Sequence, residues 1–219
     1  MLSLLPKIRI VYDNTAVLPR LKPEWGFSAL IEVNGKKIIF DTGGDKEVFA
    51  HNLEVLGINP DEIDYIFISH EHWDHIGGLP LFAGSRAELI ETPSFRSVSQ
   101  GVYSTGLLGG ELKEQSLILD TKRGLIVVTG CSHSGIVNIV KKAKELLNKN
   151  IYCVIGGFHL YEIGSEETSR IVMELKNNDI AKIAPCHCTG DKAISLFAKI
   201  FKKDFIGVGA GAMIDFNEI

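Results

Sequence analysis

Ser69-His70-Glu71-His72-Trp73-Asp74-His75-Ile76-Gly77-Gly78 is the stretch that decides how the rest of the chain is read. It directly follows Tyr65–Ser69, a short apolar run that predicts a buried strand. In an extended segment residues two apart face the same side, so His70 and His72 can chelate one cation together. Asp74 and His75 come off the next turn and can reach a second cation. Imidazole nitrogen and carboxylate oxygen in one small set suit a borderline divalent ion such as Zn²⁺. A solvated surface loop, histidine-rich by accident, does not explain three histidines and an aspartate within six residues straight after a buried strand.

Further along the chain, three more histidines repeat the placement. His133 follows the predicted strand Leu125–Thr129 through Gly130-Cys131-Ser132, His159 follows Ile151–Ile155 through Gly156-Gly157-Phe158, and His187 follows Ala181–Ala184 through Pro185-Cys186. Any one of them alone would be read as a structural histidine. Together they put six of the seven histidines in or beside loops at strand ends, where sites are commonly built; only His51, on an early helix, lies outside.

The elements between these loops set the fold class. Ile8–Tyr12 predicts a first strand. Phe27–Val33 and Lys36–Phe40 flank Asn34-Gly35, a strong hairpin signal. Asp45 can cap a helix running to about Leu56, which Gly57 stops. Leu81 to Glu114, with Gly101, Gly106, Gly109 and Gly110, predicts irregular loops. Strands are expected again at Ser116–Asp120 and Leu125–Thr129, then a helix from about Gly135 to Asn148 with Ile136, Ile139, Val140 and Ala143 on one face. Strand Ile151–Ile155, a helix near Glu166–Lys176, strand Ala181–Ala184, a helix near Asp191–Phe201 and a last strand at Phe205–Val208 complete the chain. Strands lead and strand–helix alternation follows, an order that suits an α/β sandwich of two mixed β-sheets with helices on both outer faces. Each half has a strand-rich start followed by helices, a hint of internal duplication.

The totals narrow the function classes. A chain of 219 residues fits a single domain, or two tightly fused halves, with a substantial core. It is 45% hydrophobic and 23% charged, which argues against disorder. A formal net charge of −4 gives no electrostatic reason to expect nucleic acid as a partner. Met1 to Arg20 is interrupted by Pro6, Lys7, Arg9 and Asp13, so no signal peptide and no membrane span are expected. Four cysteines make no dense disulfide framework, and reduced thiols in the cytoplasm are the simpler expectation. Cys186 and Cys188 would flank His187 on the opposite side of an extended segment and read as packing residues, with a Cys-x-Cys metal or redox site as the alternative. Cys153 is expected in the core.

His70-x-His72-x-Asp74-His75 with later single histidines at His133 and His187 resembles the metallo-β-lactamase superfamily over nearly the whole chain. That resemblance implies a four-layer αββα sandwich holding two divalent metal ions, zinc first, with Mn²⁺ or Fe²⁺ as alternatives. It implies that His70, His72 and His133 bind one ion and that Asp74, His75 and His187 bind the other. Asp41-Thr42-Gly43-Gly44 is similar to the superfamily's early Asp-Thr-Gly loop, whose aspartate supports the metal loops. Helix capping or a turn is the other role open to Asp41. Thr129-Gly130-Cys131-Ser132-His133-Ser134-Gly135-Ile136-Val137-Asn138, Gly156-Gly157-Phe158-His159-Leu160 and Pro185-Cys186-His187-Cys188-Thr189-Gly190 resemble the subfamily named for 7,8-dihydropterin-6-methyl-4-(β-D-ribofuranosyl)aminobenzene-5′-phosphate synthase.

One departure from the superfamily bears on the chemistry. Many of its hydrolases place a metal-bridging aspartate after the fourth strand, where this chain reads Gly156-Gly157-Phe158-His159. Among the implied ligands only Asp74 is anionic, so the centre stays positive and should attract an anionic, phosphate-bearing small molecule. Asp74 and His159 are the catalytic candidates. His159 can serve as a ligand in place of the missing carboxylate, as a hydrogen-bond donor to substrate phosphate, or as a general acid. The leading expectation is a hydrolase that attacks a phosphoester with a hydroxide held between the metals, with lactone or thioester cleavage behind it. A transferase activating a pyrophosphate leaving group is the alternative. Di-iron oxidoreduction is disfavoured because His72 stands where those relatives carry glutamate, and a non-catalytic metal-binding protein is the remaining class. Substrate choice is expected to rest on Leu81–Glu114, including Tyr103, and on the Tyr161–Ser165 loop.

Overall fold

The computed structural model describes residues 5–219; the first four residues, where the stretch read for a leader begins, lie outside it. The described residues form two compact units, residues 5–91 with 208–219, and residues 92–207. No helix among the described residues is long and apolar enough to cross a membrane.

The first unit holds β1 (Lys7–Tyr12), β2 (Ser28–Val33), β3 (Lys36–Phe40), α1 (Lys46–Leu56), β4 (Tyr65–Phe67), the short α2 (Trp73–Ile76) and β5 (Glu88–Ile90). The chain's last strand, β12 (Met213–Asp215), returns to pair with β1, giving the order β12-β1-β2-β3-β4-β5. The β2–β3 hairpin turns on Asn34 and Gly35, at φ 51° and 75°, the left-handed pair that a two-residue hairpin demands. Asp45 accepts hydrogen bonds from the Glu47 and Val48 amides to start α1, and Gly57 ends it at φ 66°. Phe49 and Leu53 of α1 then pack on Val11, Leu30, Ile39 and Ile66 of the sheet.

The second unit holds β6 (Ser94–Ser99), β7 (Val102–Gly106), β8 (Leu117–Thr121), β9 (Gly124–Thr129), α3 (Ile136–Leu147), β10 (Ile151–Gly157), α4 (Ser165–Asn177), β11 (Lys182–Cys186) and α5 (Asp191–Phe201), with its sheet in the order β11-β10-β9-β8-β7-β6. Ile136, Ile139, Val140 and Ala143 of α3, Val172 and Leu175 of α4, and Phe197 and Phe201 of α5 bury against Val127, Val154 and Ile183 of the sheet. The helical spacing of the apolar residues fixes which face of each helix is buried.

The two sheets share one pattern. In the first, antiparallel pairing runs from β12 through β3, and β4 and β5 add in parallel. In the second, antiparallel pairing runs from β6 through β9, and β10 and β11 add in parallel. The hint of duplication in the sequence therefore has a topological counterpart.

Two expectations are corrected. Leu81–Glu114 is not irregular throughout: it contains β5, β6 and β7, with β6 and β7 forming a hairpin whose turn includes Gly101 at φ 73°. Edge strand β6 is largely solvent-exposed, so it carries no apolar alternation for a sequence reading to detect. Phe205–Val208 is not a strand either. Phe205 makes one isolated parallel bridge to Ile183, after a short 3₁₀ turn at Lys202–Asp204, and the last strand is β12.

Candidate metal centre

In the first unit the donors are organised by a buried aspartate. The loop after β4 carries His70, His72, Asp74 and His75; His70, Asp74 and His75 are buried. Asp41, just beyond β3 and fully buried, accepts from the Ser69 amide at 2.7 Å, the Ser69 hydroxyl at 2.7 Å and His75 Nδ1 at 2.6 Å. A carboxylate only accepts, so His75 carries a proton on Nδ1, which leaves Nε2, 3.9 Å from the Asp74 carboxylate, as the nitrogen that can face a metal. The Ser69 hydroxyl spends its one proton on Asp41 and so accepts from His70 Nδ1 at 2.9 Å, which fixes the same tautomer in His70. Asp41 thus sets two imidazoles, one directly and one through Ser69. Asp74 Oδ2 also accepts from the Trp25 indole N–H at 2.8 Å. The His70 ring lies 4.2 Å from His75 and 4.6 Å from His72, centre to centre.

Glycines let this loop press against the Asp41 loop. Thr42 N donates to His75 O at 2.7 Å, Gly77 N to Gly43 O at 2.8 Å and Gly78 N to Thr42 O at 3.1 Å. A Cβ on Gly77 would strike the Gly44 carbonyl, and one on Gly78 would strike the Phe49 ring. Only glycine permits that approach.

In the second unit the donors come from three neighbouring strand ends: His133 after β9, His159 after β10 and His187 after β11. The His133 and His159 rings lie 4.3 Å apart. Ser132, His159 and His187 hold left-handed φ values of 64°, 52° and 49°, and Asp41 one of 51°; these are four of the eight non-glycine residues with positive φ among the described residues. Concentration of strained backbone at loops carrying metal-type donors is a mark of a functional site. The Ser132 hydroxyl anchors its loop by donating to Gly157 O at 2.7 Å.

Two cysteines join the second set. Cys131 Sγ lies 3.4 Å from His187 Nε2. The donor atoms of Cys131, His159 and Cys188 all lie within 4.8 Å of one another. Cys188 does not point away from the donors as an extended segment would have it, because residues 187–189 form a 3₁₀ turn. Burial pushes the Cys188 thiol up, but hydrogen bonds to Cys131 and His159 and the nearby His187 hold it well below the usual thiol range. The hydrogen bond to Cys188 in turn holds His159 above the usual imidazole value, against partial burial. Cys153 is buried mid-strand, and burial pushes its thiol far up. No disulfide joins cysteines among the described residues.

Glu114 is a site residue with no sequence signal. It is 1% exposed, and its Oε1 accepts from the Ser134 amide and hydroxyl, both at 2.9 Å, steadying the loop that carries His133. Burial raises its carboxyl pKa. Asp41 does not cap a helix; that role falls to Asp45.

Both donor sets fit divalent metal ions. Two ligands of one tetrahedral ion with bonds of about 2 Å stand about 3.3 Å apart, so His75 Nε2 and Asp74 Oδ2, 3.9 Å apart, need to close by only ~0.6 Å. The buried Nδ1 of His159 has no hydrogen-bond partner among the described residues, which suits a metal-facing nitrogen.

A family model described as the metallo-beta-lactamase superfamily matches residues 23–90. The 7,8-dihydropterin-6-methyl-4-(beta-D-ribofuranosyl)-aminobenzene-5'-phosphate synthase of Methanocaldococcus jannaschii is 33% identical, over 89% of this chain and 92% of that protein. The chain belongs to the metallo-β-lactamase superfamily. A crystal structure described as a metal-dependent hydrolase of the β-lactamase superfamily matches at 26% identity with a TM-score of 0.81, covering 96% of this chain and 98% of that one. A structure described as a new diphosphatase from the PhnP family, 14% identical, shares the fold, with a TM-score of 0.64 over 96% of this chain and 97% of that one. The superfamily's α/β fold of two mixed six-stranded sheets with helices is the one found here. The alignment with the synthase spans 271 positions, more than the 219 residues of this chain, so that relative carries inserted segments this superfamily member lacks.

Proposed function

We propose that this chain is a dinuclear metal-dependent hydrolase acting on a phosphate-bearing small molecule. The observation that carries the reading is the Asp41 network, which fixes His75 and, through Ser69, His70 in the tautomer that presents Nε2 to a metal. Assigning His70, His72 and His133 to one ion, and Asp74, His75 and His187 to the other, rests on the family resemblance. Bound divalent ions would supply Lewis acidity and an acidified water. The chain's own contribution is orientation: Asp74 is held by the Trp25 indole, His75 by Asp41, and the His133 loop by Glu114. Two hydrolase-type features support the reading further, the similarity to a metal-dependent hydrolase of the same fold and the near absence of anionic ligands among the family-implied six.

Phosphate as the substrate's recognised group rests on the positive charge that a nearly neutral ligand set would leave on bound metals. A cavity of about 430 Å³ is bordered by His133 and His159 and by the apolar Val137, Ile163 and Ile171; its two cations, Lys141 and Arg170, are paired with Glu174 and Glu167 of the same lining, so the attraction for an anion comes from the metals and not from these side chains. The Tyr161–Ser165 loop, expected to influence substrate choice, lines a second cavity of about 820 Å³ with Thr189–Lys192. Tyr103 sits instead within β7, stacked on Phe95 at 5.6 Å. The diphosphatase of the same fold is consistent with phosphoester cleavage. We take the substrate to be a soluble anion met in the cytoplasm, with neither nucleic acid nor membrane as a partner, and zinc as the first metal to test.

A second reading has its own support: the relative named as a synthase is 33% identical over most of both chains. A transferase would use the same donors to activate a pyrophosphate leaving group toward an arylamine. Incubating metal-loaded protein with phosphodiesters and, separately, with a pterin pyrophosphate plus an arylamine separates the two. Release of phosphomonoester without arylamine supports the hydrolase; arylamine-dependent coupling with no hydrolysis overturns it.

A further inference from the structure

We propose that Cys131, Cys188 and His159 form a sulfur-bearing metal site whose donors are additional to the six histidine and aspartate ligands implied by the family. The inference extends the metal-enzyme reading and rests on it, but its evidence lies wholly within the second unit.

The three donor atoms lie within 4.8 Å of one another, and both sulfurs are buried. Cys131 Sγ stands 3.4 Å from His187 Nε2. With bonds of about 2.3 Å to sulfur and 2.0–2.1 Å to imidazole nitrogen, two ligands of one tetrahedral ion are separated by about 3.5 Å. Cys131 Sγ and His187 Nε2 make a hydrogen bond at this spacing, which is also the spacing of two ligands on one ion, so Cys131 stands within reach of a metal donor as well as of Cys188 and His159. His159 has, besides, a buried Nδ1 with no hydrogen-bond partner among the described residues. Its left-handed backbone, at φ 52°, is the kind of strain that persists where a side chain must be aimed.

The backbone nearby is shaped around the sulfur. A Cβ on Gly157 would lie 2.6 Å from Cys188 Sγ and would also strike the Gly130 carbonyl. Gly157 falls in the stretch where many superfamily hydrolases place the bridging aspartate. Here the space next to that stretch is filled by a thiol. A stretch without a carboxylate is thus bordered by sulfur, and Cys131 and Cys188 add two anionic donors, since each thiol releases its proton to solvent when its sulfur binds the ion. Thiolates select thiophilic ions such as zinc over magnesium or calcium. Their charge offsets part of the positive charge that Asp74 leaves uncompensated.

Cobalt(II) titration of the reduced apoprotein tests this. Histidine and aspartate ligation gives visible ligand-field bands, whereas sulfur ligation adds an intense near-ultraviolet sulfur-to-cobalt charge-transfer band. We expect both in the wild type. Cys131→Ser and Cys188→Ser should each weaken the charge-transfer band, and the double variant should lose it while keeping the visible bands. Visible bands without a charge-transfer band in the wild type overturn the sulfur site and leave the histidine centre standing. A charge-transfer band undiminished in the double variant also overturns it. Absence of every band removes the metal reading itself. The wild-type spectrum decides the matter even where a variant fails to fold.

Discussion

Asp41→Asn is the substitution that most sharply probes how the donors are held. Asp41 sits at φ 51°, a conformation asparagine adopts at least as readily as aspartate, so the exchange leaves the backbone undisturbed and alters only the hydrogen-bond pattern. The introduced side-chain amide can keep its carbonyl oxygen toward the Ser69 backbone N–H only by turning its NH₂ toward His75 Nδ1 and the Ser69 hydroxyl, both of which donate to Asp41 in the wild type. His75 must then accept at Nδ1 and carry its proton on Nε2. The Ser69 hydroxyl, now accepting from that NH₂, donates to His70 Nδ1 and reverses that ring as well. Metal binding requires both rings to be restored, leaving two buried donor–donor conflicts at roughly 1 kcal/mol or more each. The sum, about 2 kcal/mol, is a loss of about 30-fold in metal affinity, within the 10–100-fold typical of such supporting residues. Competition against a chelator reads the affinity, and a thermal melt of the chelated protein reads the fold. The apoprotein should melt close to wild type, because the new amide satisfies its neighbours once the rings have switched. Zinc affinity within threefold of wild type would refute the tautomer argument.

Glu114→Gln should flatten the acid side of the stability profile. Burial raises the folded-state pKa of Glu114 above its unfolded value of about 4.5, so its contribution is fully present below pH 4.5 and is lost as pH rises through the higher folded value. Urea unfolding of the apoproteins at pH 4.5 and 7 should show the wild type losing stability relative to the variant as pH rises; parallel profiles count against the assignment. Gly35→Ala should destabilise by about 1–2 kcal/mol without changing metal content, because its Cβ meets nothing within 4 Å and the cost is the left-handed φ of 75° alone. Gly157→Ala should reduce both stability and metal content, since its Cβ meets Cys188 Sγ and the Gly130 carbonyl, and elemental analysis showing full metal would contradict that. His159→Ala should lose metal as well as turnover, whereas retention of all metal with loss of turnover would return His159 to an acid or substrate-contact role.

What the sequence showed was what local rules control. The capped helix from Asp45 to Gly57 and the Asn34-Gly35 hairpin appear with the expected boundaries because caps and tight turns are settled within a few residues. The donor loops were legible because the residue types are rare and their position after apolar strands repeats. β4 ends at Phe67 rather than Ser69 because the Ser69 amide bonds to the Asp41 side chain instead of a neighbouring strand. β6 escaped notice because an exposed edge strand has no buried face to pattern its residues. Glu114 escaped for a different reason: its partner Ser134 is distant in the chain, whereas Cys188 reads first as a packing residue, with metal binding as the alternative. Reading 186–188 as extended also missed the 3₁₀ turn that brings Cys188 back.

Metal content measured by elemental mass spectrometry, on wild type and on His70→Ala and His187→Ala, tests the central claim most directly, because each variant removes one donor from a different unit. At least two divalent ions per wild-type chain are expected, and fewer in either variant. A wild type that purifies and dialyses without metal, or variants that keep the full complement, would contradict that claim.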